Sequence, residues 1–195
     1  MDQLPPSHDA YFHVRIIIGI VVGLSISRLL TGLARFVQHP SGDKIYPVHL
    51  GWALFVFLLI IHFWWFEFRL AEVPQWFFEF YLFVIFYACL LFLSSALLFP
   101  DKMDEYAGYR DYFMSRRAWF FGLLALIFLV DLADTSLKGG AYFHSFGLEY
   151  PLRNLGYAAA FAAAAIIRNP RFHVVFVVAA LAYQASWILR LFDTL

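Results

Sequence analysis

Phe12 to Phe36 reads FHVRIIIGIVVGLSISRLLTGLARF, and this run decides the fold class. At ~1.5 Å rise per residue, a helix over it is long enough to cross a ~30 Å hydrocarbon layer. Gly19, Gly23, Ser27 and Thr31 recur at steps of four and so share one helical face. Lipid gives little drive for helix association, and small side chains let a neighbouring backbone come close enough for dispersion contacts. These four are the expected helix-packing residues. Arg28 stands beside them, and a guanidinium at that depth costs at least ~2.5 kcal/mol. It is therefore expected to face protein, water or a carboxylate. The segment reads as the central helix of a membrane bundle.

Composition agrees. Of 195 residues, 63% are hydrophobic and 14% charged, against roughly 45–50% and about 25% in soluble domains. The expectation is an all-α, multi-pass integral membrane protein forming a single transmembrane domain over residues 1–195. The formal net charge is zero, which gives no electrostatic footprint for nucleic acid. The lone Cys89 excludes an internal disulfide, and inside an apolar run its expected role is packing. The N-terminal MDQLPPSHDA lacks a basic leader pattern, so the first apolar run is expected to be retained.

Five more apolar runs follow: Tyr46 to Phe68, Trp76 to Phe99, Ala118 to Lys138, Asn154 to Ile167 and Phe172 to Leu191. Pro40, Ser41 and Gly42 break the chain before the second, Pro100 stops the third, and Gly139 and Gly140 end the fourth. Six transmembrane helices are expected, with the alanine-rich run Asn154 to Ile167 short for a span. Residues 103–117 carry Tyr106, Tyr109, Tyr112 and Phe113 among charges, which predicts a short interfacial amphipathic helix. Gly139 to Tyr150 is expected on the opposite surface.

Lys and Arg in the loops set the orientation. One side collects Arg35, Lys44, Lys102, Arg110, Arg116, Arg117, Arg168 and Arg171; the other has Arg15, Arg69, Lys138, Arg153 and Arg190. The first side is then cytoplasmic and both termini lie outside. YPVHLGWA from Tyr46 echoes YPLRNLGYA from Tyr150, which raises two inverted three-helix halves as an expectation. The FHVRIIIGIVVGLSISRLLTGLARF opening and the HFWWFEFRL segment resemble those of bacterial membrane proteins, a resemblance that implies no function; the expected location is a bacterial cytoplasmic membrane.

The candidate ion or proton pathway is Arg28, Asp131, Asp134, Gln184, His62 and Glu79. Asp131 and Asp134 share a face, and Lys138 is placed to pair with Asp134. Asp131 has no local partner, so Arg28 on the first span is its expected one. Such a pair either fixes helix register or handles protons, since buried carboxylates are costly and titrate readily. Glu67 and Glu79 read as solvated helix ends, with an outward vestibule as the sharper alternative. Gln184, with Tyr183 and Ser186, either extends the polar path or bonds a neighbouring helix.

No Walker loop, nucleophile elbow, dinucleotide fingerprint or HExxH is present, so an enzyme is the less favoured class and no catalytic residue is assigned. No cofactor or metal is predicted. Haem b is the weaker alternative, with His13, His49, His62 and His173 as ligands. His49 and His62 are thirteen apart, about 140° off a common helical face. The many phenylalanines read as lipid-facing bulk, or more sharply as a pocket for a flat lipid or quinone. The expected partners are the bilayer and a second copy or other membrane protein. A transporter or ion-conducting protein leads, ahead of a non-catalytic scaffold and a redox protein.

Overall fold

A computed structural model describes residues 7–39 and 45–192. The chain-breaking Pro40, Ser41 and Gly42, Lys44 of the orientation count and the polar start of the N-terminus lie outside them. The elements are α1 (Ser7–Gln38), α2 (Pro47–Phe66), a 3-10 helix (Glu67–Glu72), α3 (Phe78–Ala96), α4 (Tyr109–Leu137), α5 (Gly140–Ser145), α6 (Glu149–Ile166) and α7 (Pro170–Phe192). No strand occurs among the described residues. Pro47 starts α2, where its fixed φ and missing N–H suit the first turn.

Five helices are long and apolar enough to cross a membrane: α1, α2, α3, α4 and α7. With exposed Ile20, Leu24, Trp119, Val175, Val178 and Leu189 on their outer faces, they mark an integral membrane protein. The shorter α6 is not among the five, because Glu149, Arg153 and Asn154 in its first half lower its hydropathy.

Ring and hydrogen-bond contacts set the direction of each helix. His49 near the start of α2 meets Leu98 beyond the end of α3, while Phe63 near the end of α2 packs on Tyr87. Phe55 stacks on Phe128 of α4, and Lys138 just past α4 reaches Glu67 just past α2. The six long helices therefore alternate in direction. The bundle has a Glu67 end, which also holds the start of α1 and the end of α7, and a His49 end.

The inward face of α1 is Val14, Ile18, Val22, Ser25, Leu29 and Gly32, all buried. The expected packing stripe does not lie on this inward face. Gly23, Ser27 and Thr31 are exposed and Gly19 is half-buried. A Cβ at Gly23 would meet nothing within 4 Å, and one at Gly19 would only touch Trp64 at 3.4 Å. The stripe is offset from the true seam by one residue, about 100° around the helix. Close approach instead occurs at Gly32, whose missing Cβ would fall on the Phe99 ring, and at Gly51, where it would lie 2.7 Å from Val177 Cγ2.

Residues 103–117 do not form a separate interfacial helix. Residues 104–108 are a turn and bends, and Tyr109 onward is already α4. Tyr112 and Phe113 are buried in the bundle, so the aromatic periodicity reported a packed face and not a headgroup belt.

Candidate functional site

Polar side chains gather inside the Glu67 end. Lys138 follows α4 directly, at a position where a lysine is ordinarily solvated. Here its side chain is 1% exposed. Its ammonium donates to Glu67 Oε1 at 2.8 Å and to Asp134 Oδ2 at 2.5 Å. Gly139 makes this burial feasible. Its φ of 131°, which L side chains rarely adopt, turns the chain sharply after Lys138. The turn lays α5 and Phe146 over the cluster.

Asp131 sits one turn deeper. Tyr87 donates to its Oδ1 at 2.9 Å, and Tyr150 and Asn154 donate to its Oδ2 at 2.7 and 2.6 Å. Thr135 Oγ1 lies 2.6 Å from the Tyr150 hydroxyl, so it can donate into that oxygen while Tyr150 gives its own proton to Asp131. Three neutral donors thus satisfy the two oxygens of one buried carboxyl group.

The second cation of the core is Arg153. It donates to Asn154 Oδ1 at 2.8 Å and to Gln184 Oε1 at 2.5 Å. Its guanidinium carbon lies 5.2, 5.3 and 5.0 Å from the ring centres of Phe128, Tyr157 and Trp187, an aromatic cage that stabilises a cation away from water.

His62, Glu67, Tyr87, Asp131, Asp134 and Arg153 all border one internal cavity of about 30 Å³, which is room for roughly two water molecules. Four of the buried polar atoms without a hydrogen-bond partner belong to these residues: His62 Nε2, Glu67 Oε2, Asp134 Oδ1 and Arg153 Nε. Such groups are ordinarily satisfied by ordered water in a protein interior.

Toward the His49 end an aromatic plug takes over. Trp52 packs on Phe121, Phe161 and Phe176 at centroid distances of 5.1, 5.7 and 5.2 Å. Phe128, Phe161 and Tyr157 continue it to the edge of the polar cavity. Many phenylalanines are thus core residues, which the expectation of lipid-facing bulk did not anticipate.

The sequence-derived candidates divide. Asp131, Asp134, His62 and Gln184 belong to the polar core, and the Lys138–Asp134 pair forms as its spacing implies. Arg28 does not join them. It donates to Asp101 Oδ1 at 2.6 Å and to the Phe99 carbonyl at 2.9 Å, at the opposite end of the bundle. Glu79 is exposed on α3. Glu67, read as a solvated end, is 4% exposed and central. Arg153, Asn154, Tyr150 and Tyr87 were missed. Tyr150, Arg153, Asn154 and Tyr157 share one face at steps of three and four, and that spacing was the available signal.

The four histidines are dispersed. His13 is exposed on α1 and His62 borders the polar cavity. At the other end, His49 and His173 each direct Nε2 to a backbone carbonyl, of Leu98 at 2.6 Å and Ile167 at 2.9 Å. Comparison with protein-family models, with curated proteins and with solved structures finds no match.

Proposed function

We propose that this chain is a small proton-handling membrane protein, the ion-coupled part of a transporter, whose polar core binds and releases protons. One observation carries the reading. Two carboxyl groups, Glu67 and Asp134, share a single ammonium inside an apolar bundle, beside a water-sized polar cavity. With Asp131 and Arg153 included, three acids face two permanent cations. Full ionisation leaves one uncompensated negative charge, and an extra proton on the core removes it. The aromatic plug argues for binding and release from the Glu67 end, and against an open pore.

In this reading α6 makes a sixth crossing from Asn154 onward, shielded by α4 and α7, which tolerate its polar face. The His49 end is cytoplasmic. Lys138 and Arg153 are core residues and drop out of the loop count. That leaves Arg15, Arg69 and Arg190 facing Arg35, Lys102, Arg110, Arg116, Arg117, Arg168 and Arg171, a wider bias than the sequence alone implied. Inverted halves are not part of the proposal, since α1 packs chiefly on α3 whereas α4 packs chiefly on α6.

Infrared difference spectroscopy on a pH step tests the proposal. The expected result is a protonated-carboxyl band that disappears at high pH in the wild type and changes in Glu67→Gln and Asp134→Asn. No such band over the whole pH range in which the protein stays folded sinks it. Proton flux into liposomes then separates transport from storage.

A second reading, a non-catalytic scaffold or self-associating subunit, has its own support. Gly23, Ser27 and Thr31 lie exposed in a row on α1, where a partner helix could approach closely. Cross-linking through that face in membranes distinguishes it.

A further inference from the structure

Glu67 borders two separate cavities. One is the polar cavity already described. The other is a pocket of about 10 Å³ between α1 and the end of α2, where Arg15, Ile18 and Phe68 form the wall around Glu67. Arg15 and Phe68 are exposed, so this outer pocket meets the surface. Arg15 is held there, its guanidinium carbon 4.9 Å from the centre of the Phe68 ring. A pocket of this size has room for about one water and for no hydrated metal ion. Glu67 Oε1 is bound to Lys138, while Oε2 is buried without a partner. A carboxyl group with one anchored oxygen and one free oxygen, placed between two water-sized spaces, has the geometry of a proton relay.

We propose that Glu67 is the door of the polar core, passing protons between the surface beside Arg15 and the inner cavity. This rests on the proton-binding reading above and names the route. A hydronium ion in the outer pocket gives its proton to Glu67 Oε2, forming an O–H bond and leaving water. The neutral acid holds Lys138 less strongly, while Asp134 keeps the ammonium in place. The O–H proton then passes to water in the inner cavity, where Asp131, Asp134 and His62 can take it. Glu67 returns to its carboxylate and to Lys138, so no charge or atom is left over. The size of the outer pocket makes the route specific for protons over hydrated cations.

Blocking the outer pocket after folding tests the route without disturbing assembly. Tyr11 borders that pocket on α1, and His13 points outward from the same turn region. Tyr11→Cys and His13→Cys, each in a Cys89→Ser background, are purified folded and reacted with a bulky maleimide. Proton uptake after a pH step is followed with a soluble indicator dye. The expected result is uptake slowed by about tenfold or more in labelled Tyr11→Cys relative to the same protein unlabelled. The number of protons taken up stays equal, and the label at His13→Cys has no effect. Equal rates with and without the label at position 11, or equal slowing at position 13, overturn the route. Absence of uptake in the unlabelled proteins instead overturns the proton-binding reading itself, and the route with it.

Discussion

Arg28 closes on Asp101, with Nη2 2.6 Å from Oδ1, and leaves Asp131 to three neutral donors on two other helices, α3 and α6. The same guanidinium nitrogen also reaches the Phe99 carbonyl, and Arg35 donates to the Pro100 carbonyl at 3.0 Å. Two arginines of α1 therefore tie down the chain where it leaves α3. This is an anchoring role at the His49 end, remote from the polar core.

The first prediction follows from that pairing. A double-mutant cycle on thermal unfolding in detergent gives no coupling between Arg28 and Asp131, and a small coupling between Arg28 and Asp101. The Arg28 hydrogen bond and charge hold the Asp101 carboxyl below the usual carboxylate range. A carboxyl group lowered in the folded state contributes stability above its unfolded value and loses it as pH falls through the folded one. The Arg28–Asp101 coupling is therefore present at neutral pH and disappears in acid. Measurable coupling of Arg28 to Asp131 contradicts this geometry.

Removing the shared ammonium should be more damaging than removing either of its acids. Lys138→Met leaves Glu67 and Asp134 together without a cation, and breaking a buried ion pair this way costs about 3–5 kcal/mol. Glu67→Gln costs less, because Lys138 keeps Asp134. Thermal unfolding of the two variants checks the order. A Lys138→Met protein as stable as Glu67→Gln means the cluster is not buried as described.

Glycine substitutions on α1 separate fold from association. Gly32→Ala drives a methyl group into the Phe99 ring and should cost about 1–3 kcal/mol. Gly23→Leu meets open space and should leave unfolding unchanged. If the exposed stripe carries self-association, Gly23→Leu lowers the oligomeric mass in light scattering and Gly32→Ala does not. Loss of fold in Gly23→Leu alone contradicts the assignment of faces.

The orientation is tested by labelling intact cells in a Cys89→Ser background. A cysteine at the exposed Ala107, in the turn before α4, should stay unlabelled by an impermeant maleimide. One at the exposed His144, on α5, should react. The reverse pattern places the polar cavity on the cytoplasmic side.

The sequence by itself determined what depends on residues close along the chain. Runs of apolar residues give the helices and the membrane class, and prolines and glycines set where the helices stop. The i, i+4 spacing of Asp134 and Lys138 gives their pair, because one helical turn brings them together regardless of what surrounds them.

Tertiary structure decided everything that depends on which helices meet. Glu67 and Lys138 are 71 positions apart, and no local periodicity relates them. Their burial depends on α5 folding back across two helix ends, so a residue that looks like a solvated terminus becomes the centre of the site. Arg153 looked like a loop cation because hydropathy cannot register a cage of Phe128, Tyr157 and Trp187 drawn from three helices. The stripe of small residues on α1 was legible as a stripe, but not as inward or outward facing. A helix carries several faces of similar polarity in an apolar sequence, and only packing against α3 and α2 selects the one that is buried.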